Sequence, residues 1–110
     1  MAADPGVLEL MRGDLAEVSG IVEKRMFGGL CFMKDGHMLC GAHRDGAMYR
    51  VGKPRAAEAL ALPGVREMGF TGRPMPAFVE VAPEDMDDEG TRAALLALAL
   101  ANVASLPPRG

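Results

Sequence analysis

Apolar positions along the chain change their spacing several times, and each spacing predicts a type of element. After Asp4-Pro5 an apolar stripe recurs at intervals of three and four residues, at Leu8, Met11, Leu15 and Val18. Because Asp can cap a helix and Pro suits its first position, this stripe predicts a helix over residues 5–18. Two further helices are predicted over residues 54–62 and 88–105, the second ending before Pro107-Pro108.

Between the first two helices the pattern becomes that of strands. Asp35-Gly36 and Asp45-Gly46 are typical of two-residue hairpin turns, and they separate predicted strands over about 24–34, 37–44 and 47–51. Gly28-Gly29 within the first strand indicates a bulge or a close backbone contact. Two more strands are predicted over 66–70 and 77–82, with residues 71–76 as a loop. The order α-β-β-β-α-β-β-α predicts an α+β fold with two layers, one antiparallel five-stranded sheet covered by helices.

Tight turns at both Asp-Gly pairs also predict the register. Cys31 is then opposite Cys40 and Met33 opposite Met38, while Ala42 faces Tyr49 and Cys40 faces Val51 in the second hairpin. Alternation predicts an uncharged face under the helices, made of Cys31, Met33, Met38, Cys40, Ala42, Tyr49 and Val51. The opposite face is predicted to be open and to carry the candidate interaction surface Leu30, Phe32, Leu39, Met48, Arg50 and Phe78. A slip of one residue in the register would exchange the two faces.

Length, charge and apolar runs then narrow the class of protein. The 110 residues predict a single domain, with a core over about residues 7–106. A net charge of −3 argues against a general nucleic-acid binder, although residues 20–76 hold nine Lys and Arg against five Asp and Glu. The longest apolar run, residues 93–101, is far shorter than the ~20 residues that span a bilayer. With no signal-peptide pattern and two cysteines in all, we expect a cytoplasmic protein without membrane contact.

No combination of residue types predicts catalysis, a metal site or a cofactor. His37 and His43 lie six residues apart on one predicted strand, about 20 Å at ~3.3 Å per residue, so one metal ion cannot bridge them. We expect both to be surface histidines beside turns. The two cysteines are expected to be buried, reduced thiols, and the alternative is a strained cross-strand disulfide.

Among the charged side chains, Arg73 is expected to have the best-defined direction, because it lies between Gly72 and Pro74 in a stiff loop. One interpretation is recognition of an anion or carboxylate, with Arg25 nearby. The other is a structural ion pair with Glu23 or Glu67.

Two short motifs carry a resemblance to a known family. Arg25-Met26-Phe27-Gly28-Gly29 leads into the first hairpin, and Gly72-Arg73-Pro74-Met75 precedes the last strand. With the Asp35-Gly36 turn and the alanine-rich final helix, the chain resembles the N-terminal domain of the TfoX/Sxy family over about residues 7–106. The resemblance implies a fold like that of secretion chaperones, no catalytic residue and no cofactor. Its best-known members regulate natural competence in bacteria and carry a second helical domain, for which 110 residues leave no room, so we expect a stand-alone form.

Two functional hypotheses follow. The first is a non-enzymatic regulatory or adaptor module that acts through protein contacts on the open sheet face, with a protein partner or a second copy of itself as a homodimer. The alternative is single-stranded nucleic-acid binding on the same face. In that case Phe32 and Phe78 would stack on bases while Lys34, Arg44 and Arg50 follow the phosphates.

Overall fold

A computed structural model describes residues 3–26, 28–70 and 72–107 of the chain. Within these residues, three helices flank one sheet of six antiparallel strands in the order β1-β2-β3-β4-β6-β5. The helices are α1 (Pro5–Asp14), α2 (Ala56–Leu60) and α3 (Glu89–Ala104), and short 3₁₀ turns over Lys53–Arg55 and Pro83–Asp87 lead into the last two. The strands are β1 (Val22–Met26), β2 (Gly29–Lys34), β3 (His37–His43), β4 (Gly46–Arg50), β5 (Val65–Phe70) and β6 (Arg73–Val81). The α+β class is confirmed.

Each of the two long helices is capped by an aspartate, and Asp4 was predicted in this role. The Asp4 carboxylate accepts hydrogen bonds from the backbone N–H groups of Gly6 and Val7, at 2.8 and 3.2 Å, with Pro5 as the first helical residue. Asp88 does the same for α3 by accepting from the Thr91 N–H at 3.0 Å. Helix α1 ends at Asp14, four residues before the predicted end.

The prediction of five strands was wrong, because the segment expected to form one strand over residues 24–34 is a hairpin. Met26 pairs with Gly29, so the chain reverses between them, and Gly28 adopts a φ of +73° that suits glycine. The predicted close backbone contact is confirmed at Gly29, where a Cβ would overlap the carbonyl oxygen of Ala42. The additional strand β1 forms one edge of the sheet.

The first predicted register holds only next to its turn. Asp35 and Gly36 have φ of 54° and 80°, as a type I′ turn requires, and Met33 pairs with Met38 as predicted. Beyond this pair, however, Phe32 faces Cys40, so Leu39 is an extra residue that bulges out of β3. The predicted Cys31–Cys40 pair was therefore wrong, and β2 is turned over relative to β3.

The second hairpin turns one residue earlier than predicted. His43 pairs with Gly46 and Cys40 with Tyr49, so the predicted pairs of Ala42 with Tyr49 and Cys40 with Val51 were wrong. The shift is two residues, which leaves the faces of β3 and β4 unchanged. Gly46, with a φ of 134°, permits close contact with β6, since a Cβ there would overlap the carbonyl oxygen of Val81.

The loop predicted for residues 71–76 was also wrong in its second half, where Arg73 already begins β6. Strand β4 pairs with β6 only from Phe78 onward. Pro74 and Pro76 thus lie where one side of β6 has no neighbouring strand among the described residues, so their missing N–H groups break no ladder on that side.

The main core lies between the sheet and the three helices. Its strand residues include Phe32, Leu39, Cys40, Ala42, Ala47, Tyr49, Val79 and Val81, with Val51 just after β4, and its helix residues include Val7, Met11, Ala59, Leu95, Leu98 and Val103. Of the residues predicted for this face, Cys40, Ala42, Tyr49 and Val51 are confirmed. Cys31, Met33 and Met38 lie on the opposite face, because the bulge at Leu39 turns over one side of the first hairpin.

Candidate interaction surface

A second apolar cluster covers the sheet face opposite the helices, and we call it the methionine face. It consists of Met26, Cys31, Met33, Met38, Met48, Met68, Met75 and Phe78. All six strands contribute to it, and none of its members belongs to a described helix. Six of the nine methionines of the chain lie here, so this face is built largely from one flexible and polarisable type of side chain.

The methionine face has a buried centre and a partly exposed margin. Cys31 and Met48 are 0% and 2% exposed, whereas the side chains of Met26, Met33, Met75 and Phe78 are only partly buried. Gly41 leaves room at the centre, because a Cβ there would lie 2.9 Å from the methyl carbon of Met48. The margin continues at Val22 of β1, which pairs with Met33. Val22 is 61% exposed, more than any other large hydrophobic side chain that the structure describes.

One end of this face carries a polar cluster. Glu80 on β6 accepts a hydrogen bond from Arg66 Nε at 2.9 Å, and its other carboxylate oxygen lies 2.9 Å from His43 Nε2. The contact between Glu80 and His43 lacks the alignment of a hydrogen bond. It is an electrostatic contact between the carboxylate and the imidazole ring. His43 Nδ1 accepts from the Asp45 N–H at 3.1 Å, which places the proton of a neutral ring on Nε2, facing Glu80.

The charge of the methionine face is opposite in sign to that of the whole chain. Register places Lys24 beside Cys31, Arg50 beside Phe78, and the paired Arg66 and Glu80 beyond Met48. Three cations and one carboxylate give this face a net charge of +2, whereas the chain carries −3. An apolar surface with a positive margin favours apolar ligands that carry negative charge.

The six residues predicted as the interaction surface do not lie together. Met48, Arg50 and Phe78 are on the methionine face, as predicted, but Met48 is buried. Phe32 and Leu39 are 1% and 0% exposed in the main core, and the half-buried Leu30 packs against that core. Their predicted exposure was wrong, since the bulge at Leu39 turns β2 over and directs Leu39 inward.

Arg25 and Arg73 are both exposed, and neither has a carboxylate within 4.0 Å among the described residues. Glu23, a predicted partner of Arg73, instead accepts two hydrogen bonds of 2.9 Å from Arg12 of α1. The structural ion pair predicted for Arg73 is therefore not formed.

Both histidines differ from the predicted surface residues beside turns. His37 is 7% exposed, and its Nε2 lies 2.6 Å from the carbonyl oxygen of Pro107, which ties the segment after α3 to the start of β3. His43 is half-buried beside Glu80.

The cysteines are free thiols on opposite faces of the sheet. Both are buried, Cys31 in the methionine face and Cys40 in the main core. Burial raises the pKa of each thiol, and for Cys40 the nearby Cys31 and Asp14 act in the same direction. Both sulfurs therefore remain protonated and unreactive at neutral pH.

A polar contact also lies on the helix side, at a narrow cleft lined by Met11, Asp14, Leu15, Cys40, Tyr49 and Leu96. Arg92 of α3 donates from Nε to Asp14 at 2.9 Å and from Nη1 to the carbonyl oxygen of Met86 at 2.8 Å. The hydrogen bond to Asp14 raises the pKa of Arg92, and burial raises that of Tyr49. These contacts join α1 to α3, and no described group of three or more His, Cys, Asp or Glu side chains could hold a metal ion.

The TfoX N-terminal domain family matches residues 14–103, most of the 110-residue chain. The chain belongs to this family. TfoX N-terminal domains are linked to the regulation of competence. They are a regulatory type of domain and are not known to be enzymes. No curated protein and no solved structure gave a match.

The predicted family was therefore confirmed, while the likeness to secretion chaperones stays a prediction. In the described part of the TfoX N-terminal domain, no helix has the length and apolar character needed to cross a bilayer.

Proposed function

We propose that this TfoX N-terminal domain is a non-enzymatic regulatory module that binds a protein partner on its methionine face. The observation that carries the proposal is the contrast between the two sheet faces. One lies under three helices, whereas the other has no described helix over it and leaves Met26, Met33, Met75 and Phe78 partly exposed. Methionine side chains adapt their shape to a ligand and are common on protein-binding surfaces.

The chemistry of this face supports one class of partner. Its centre is apolar, and its cations Lys24, Arg50 and Arg66 outnumber the single carboxylate Glu80. The partner that fits is a protein segment with apolar side chains in the middle and acidic residues at its ends.

Nucleic-acid binding is supported less well by the same geometry. Stacking on two aromatic side chains requires both rings on one accessible face, but Phe32 is 1% exposed in the main core. Phe78 alone remains for stacking, on a chain with a net charge of −3.

Charge reversal at the margin tests the proposal without disturbing the core. The tagged chain is expressed in its native cells as wild type, as Arg50→Glu and as the control Lys53→Glu, whose exposed cation precedes α2. We expect a protein that wild type and Lys53→Glu retain and Arg50→Glu loses. Once that protein is purified, calorimetry should give binding at least about tenfold weaker for Arg50→Glu.

The methionine methyl groups then locate the contact. In NMR spectra of ¹³C-methyl-labelled chain, the added partner should shift the signals of Met26, Met33 and Met75, whereas Met11 and Met86 of the main core should stay in place. A partner that shifts the core methyls instead, or no protein with the expected retention pattern, would contradict the proposal. Salt-sensitive binding of a labelled single-stranded oligonucleotide at micromolar protein would replace it with the nucleic-acid alternative.

A further inference from the structure

Strand β1 is the regular and accessible edge of the sheet. It pairs with β2 through five consecutive residues without a shift in register, and no other described strand pairs with its outer side. The opposite edge, β5, is interrupted by an irregularity between Glu67 and Gly69. In β1 the residues Val22 to Arg25 are exposed, and Val22 is exposed more than any other large hydrophobic side chain that the structure describes. An edge of this kind offers unpaired backbone groups to another strand.

The sequence of β1 is complementary to itself in one antiparallel register. A two-fold axis perpendicular to the sheet keeps each side chain on its own face. One residue of β1 must therefore lie opposite the same residue of the second copy, with the axis between them. With the axis at Lys24, Glu23 lies opposite Arg25 of the second copy, and Val22 lies opposite Met26. Each of these pairs occurs twice. With the axis at Glu23 or at Arg25, that residue would face its own copy, and the two pairs of opposite charge would be lost.

We propose that two copies of this chain associate through β1, in the antiparallel register centred on Lys24. The occupant of the edge is thus a second copy, and the two six-stranded sheets become one continuous sheet. The backbone supports this register. Met26 pairs with Gly29 at the end of the hairpin, and residues of an antiparallel strand bond alternately towards and away from their neighbour. Glu23 and Arg25 then direct their N–H and C=O groups outward, where they meet Arg25 and Glu23 of the second copy.

The side chains allow the same arrangement. Arg25 has no carboxylate within 4.0 Å among the described residues, so its guanidinium is available to the second copy. Glu23 already accepts from Arg12, but a carboxylate has about four acceptor positions, and this side chain is 42% exposed. The lysines at the axis are long and exposed, and they can separate into solvent. Because each copy contributes only one five-residue strand, we expect a weak dimer that depends on concentration.

A charge exchange gives the sharpest test. Arg25→Glu sets carboxylates opposite each other twice, and Glu23→Arg does the same with guanidinium groups. By sedimentation equilibrium up to about millimolar protein, we expect each variant to dimerise at least about tenfold more weakly than wild type. An equimolar mixture of the two variants should recover the dimer, because every pair then has opposite charges. Glu67→Arg on the β5 edge is the matched control and should dimerise like wild type.

A cysteine cross-link tests the register itself. Lys24→Cys places two thiols opposite each other at the axis, whereas Val22→Cys places them four residues apart, about 13 Å along the strands at ~3.3 Å per residue. Because Cys31 of β2 pairs with Lys24, both variants also carry Cys31→Ala, and the buried Cys40 leaves the new thiol as the reactive one. We expect mild oxidation to produce a covalent Lys24→Cys dimer much faster than a Val22→Cys dimer. A wild-type monomer at all concentrations, a dimer that both charge reversals leave unchanged, or equal cross-linking of the two cysteine variants would overturn the proposal.

Discussion

Removal of the Asp14 carboxylate should destabilise the protein more than removal of the arginine to which it binds. Arg92 directs Nε and Nη2 at this carboxylate, at 2.9 and 3.4 Å, and Nη1 at the carbonyl oxygen of Met86. The side chains of Arg92 and Asp14 are 10% and 24% exposed. Asp14→Ala therefore leaves a nearly buried cation with one remaining protein acceptor. Arg92→Met removes the charge itself and leaves behind a carboxylate that water can reach.

The magnitudes follow from the geometry. Two unit charges about 4 Å apart attract each other by ~4 kcal/mol at an effective dielectric constant of ~20, and leaving one charge of a buried pair alone costs ~3–5 kcal/mol. Water reaches Asp14 in part, so we expect Asp14→Ala to lower the free energy of unfolding by ~2–3 kcal/mol. Arg92→Met should cost ~1–2 kcal/mol, because it frees the Met86 carbonyl group but retains an apolar stem. The double variant should cost no more than Arg92→Met alone.

Urea unfolding at pH 7, followed by circular dichroism, measures all three free energies. The matched control is Glu23→Ala, which breaks the exposed pair with Arg12, whose side chains are 51% and 42% exposed. We expect a much smaller loss of stability than for Asp14→Ala, because solvent screens such exposed pairs. If Asp14→Ala costs no more than Glu23→Ala, or if the Asp14 and Arg92 effects simply add, the buried pair does not join α1 to α3 as argued.

Three further outcomes are expected. Gly29→Ala should destabilise the protein by at least ~1–3 kcal/mol in the same urea assay, since its Cβ would overlap the backbone of β3, whereas Gly13→Ala in α1 has open space and should be neutral or stabilising by up to ~1 kcal/mol. A thiol reagent should label Cys31 and Cys40 slowly in the native protein and fast in denaturant, and rapid native labelling would contradict their burial. Because Arg12 lowers the pKa of Glu23 below 4.5, this pair contributes stability above pH ~4.5 that is lost as the pH falls through the folded pKa; melting temperatures of Glu23→Gln and wild type should therefore converge in acid.

Local signals in the sequence identified much of this fold. The Asp4 cap, the Asp35-Gly36 turn and the family motifs each act over a few residues, and each gave the right element or the right family. The pair Gly28-Gly29 predicts a bulge or a close backbone contact, and the close contact is present at Gly29, but the pair does not distinguish an irregular strand from the hairpin that the chain forms. Pro74 and Pro76 indicated a loop where β6 already begins. Proline is tolerated there because one side of the strand has no neighbour, which the sequence does not show.

The site could be predicted only in part, for a reason particular to β3. Met38, Leu39 and Cys40 are all apolar, so the pattern of hydrophobic and polar residues fits a regular strand and a bulged one equally well. Because of the extra residue, Phe32 lies in the main core and Cys31 on the methionine face, the reverse of the prediction. The surface is therefore built largely from methionine instead of the predicted leucine and phenylalanine. A usable signal was Gly41, because a glycine within a strand indicates close packing over that position, and Met48 occupies it.

The two proposals meet on one side of the sheet. A two-fold axis perpendicular to a sheet leaves each face on its own side, so association through β1 brings two methionine faces next to each other. Val22 and Met26 lie on that face, and their contacts across the axis would join the two apolar surfaces into one. A partner that presents two such segments would then occupy both symmetry-related faces at once. Two linked sites bind much more tightly than either alone. A weak dimer is thus enough to make binding steeply dependent on the concentration of this chain, which is a property that suits a regulatory domain.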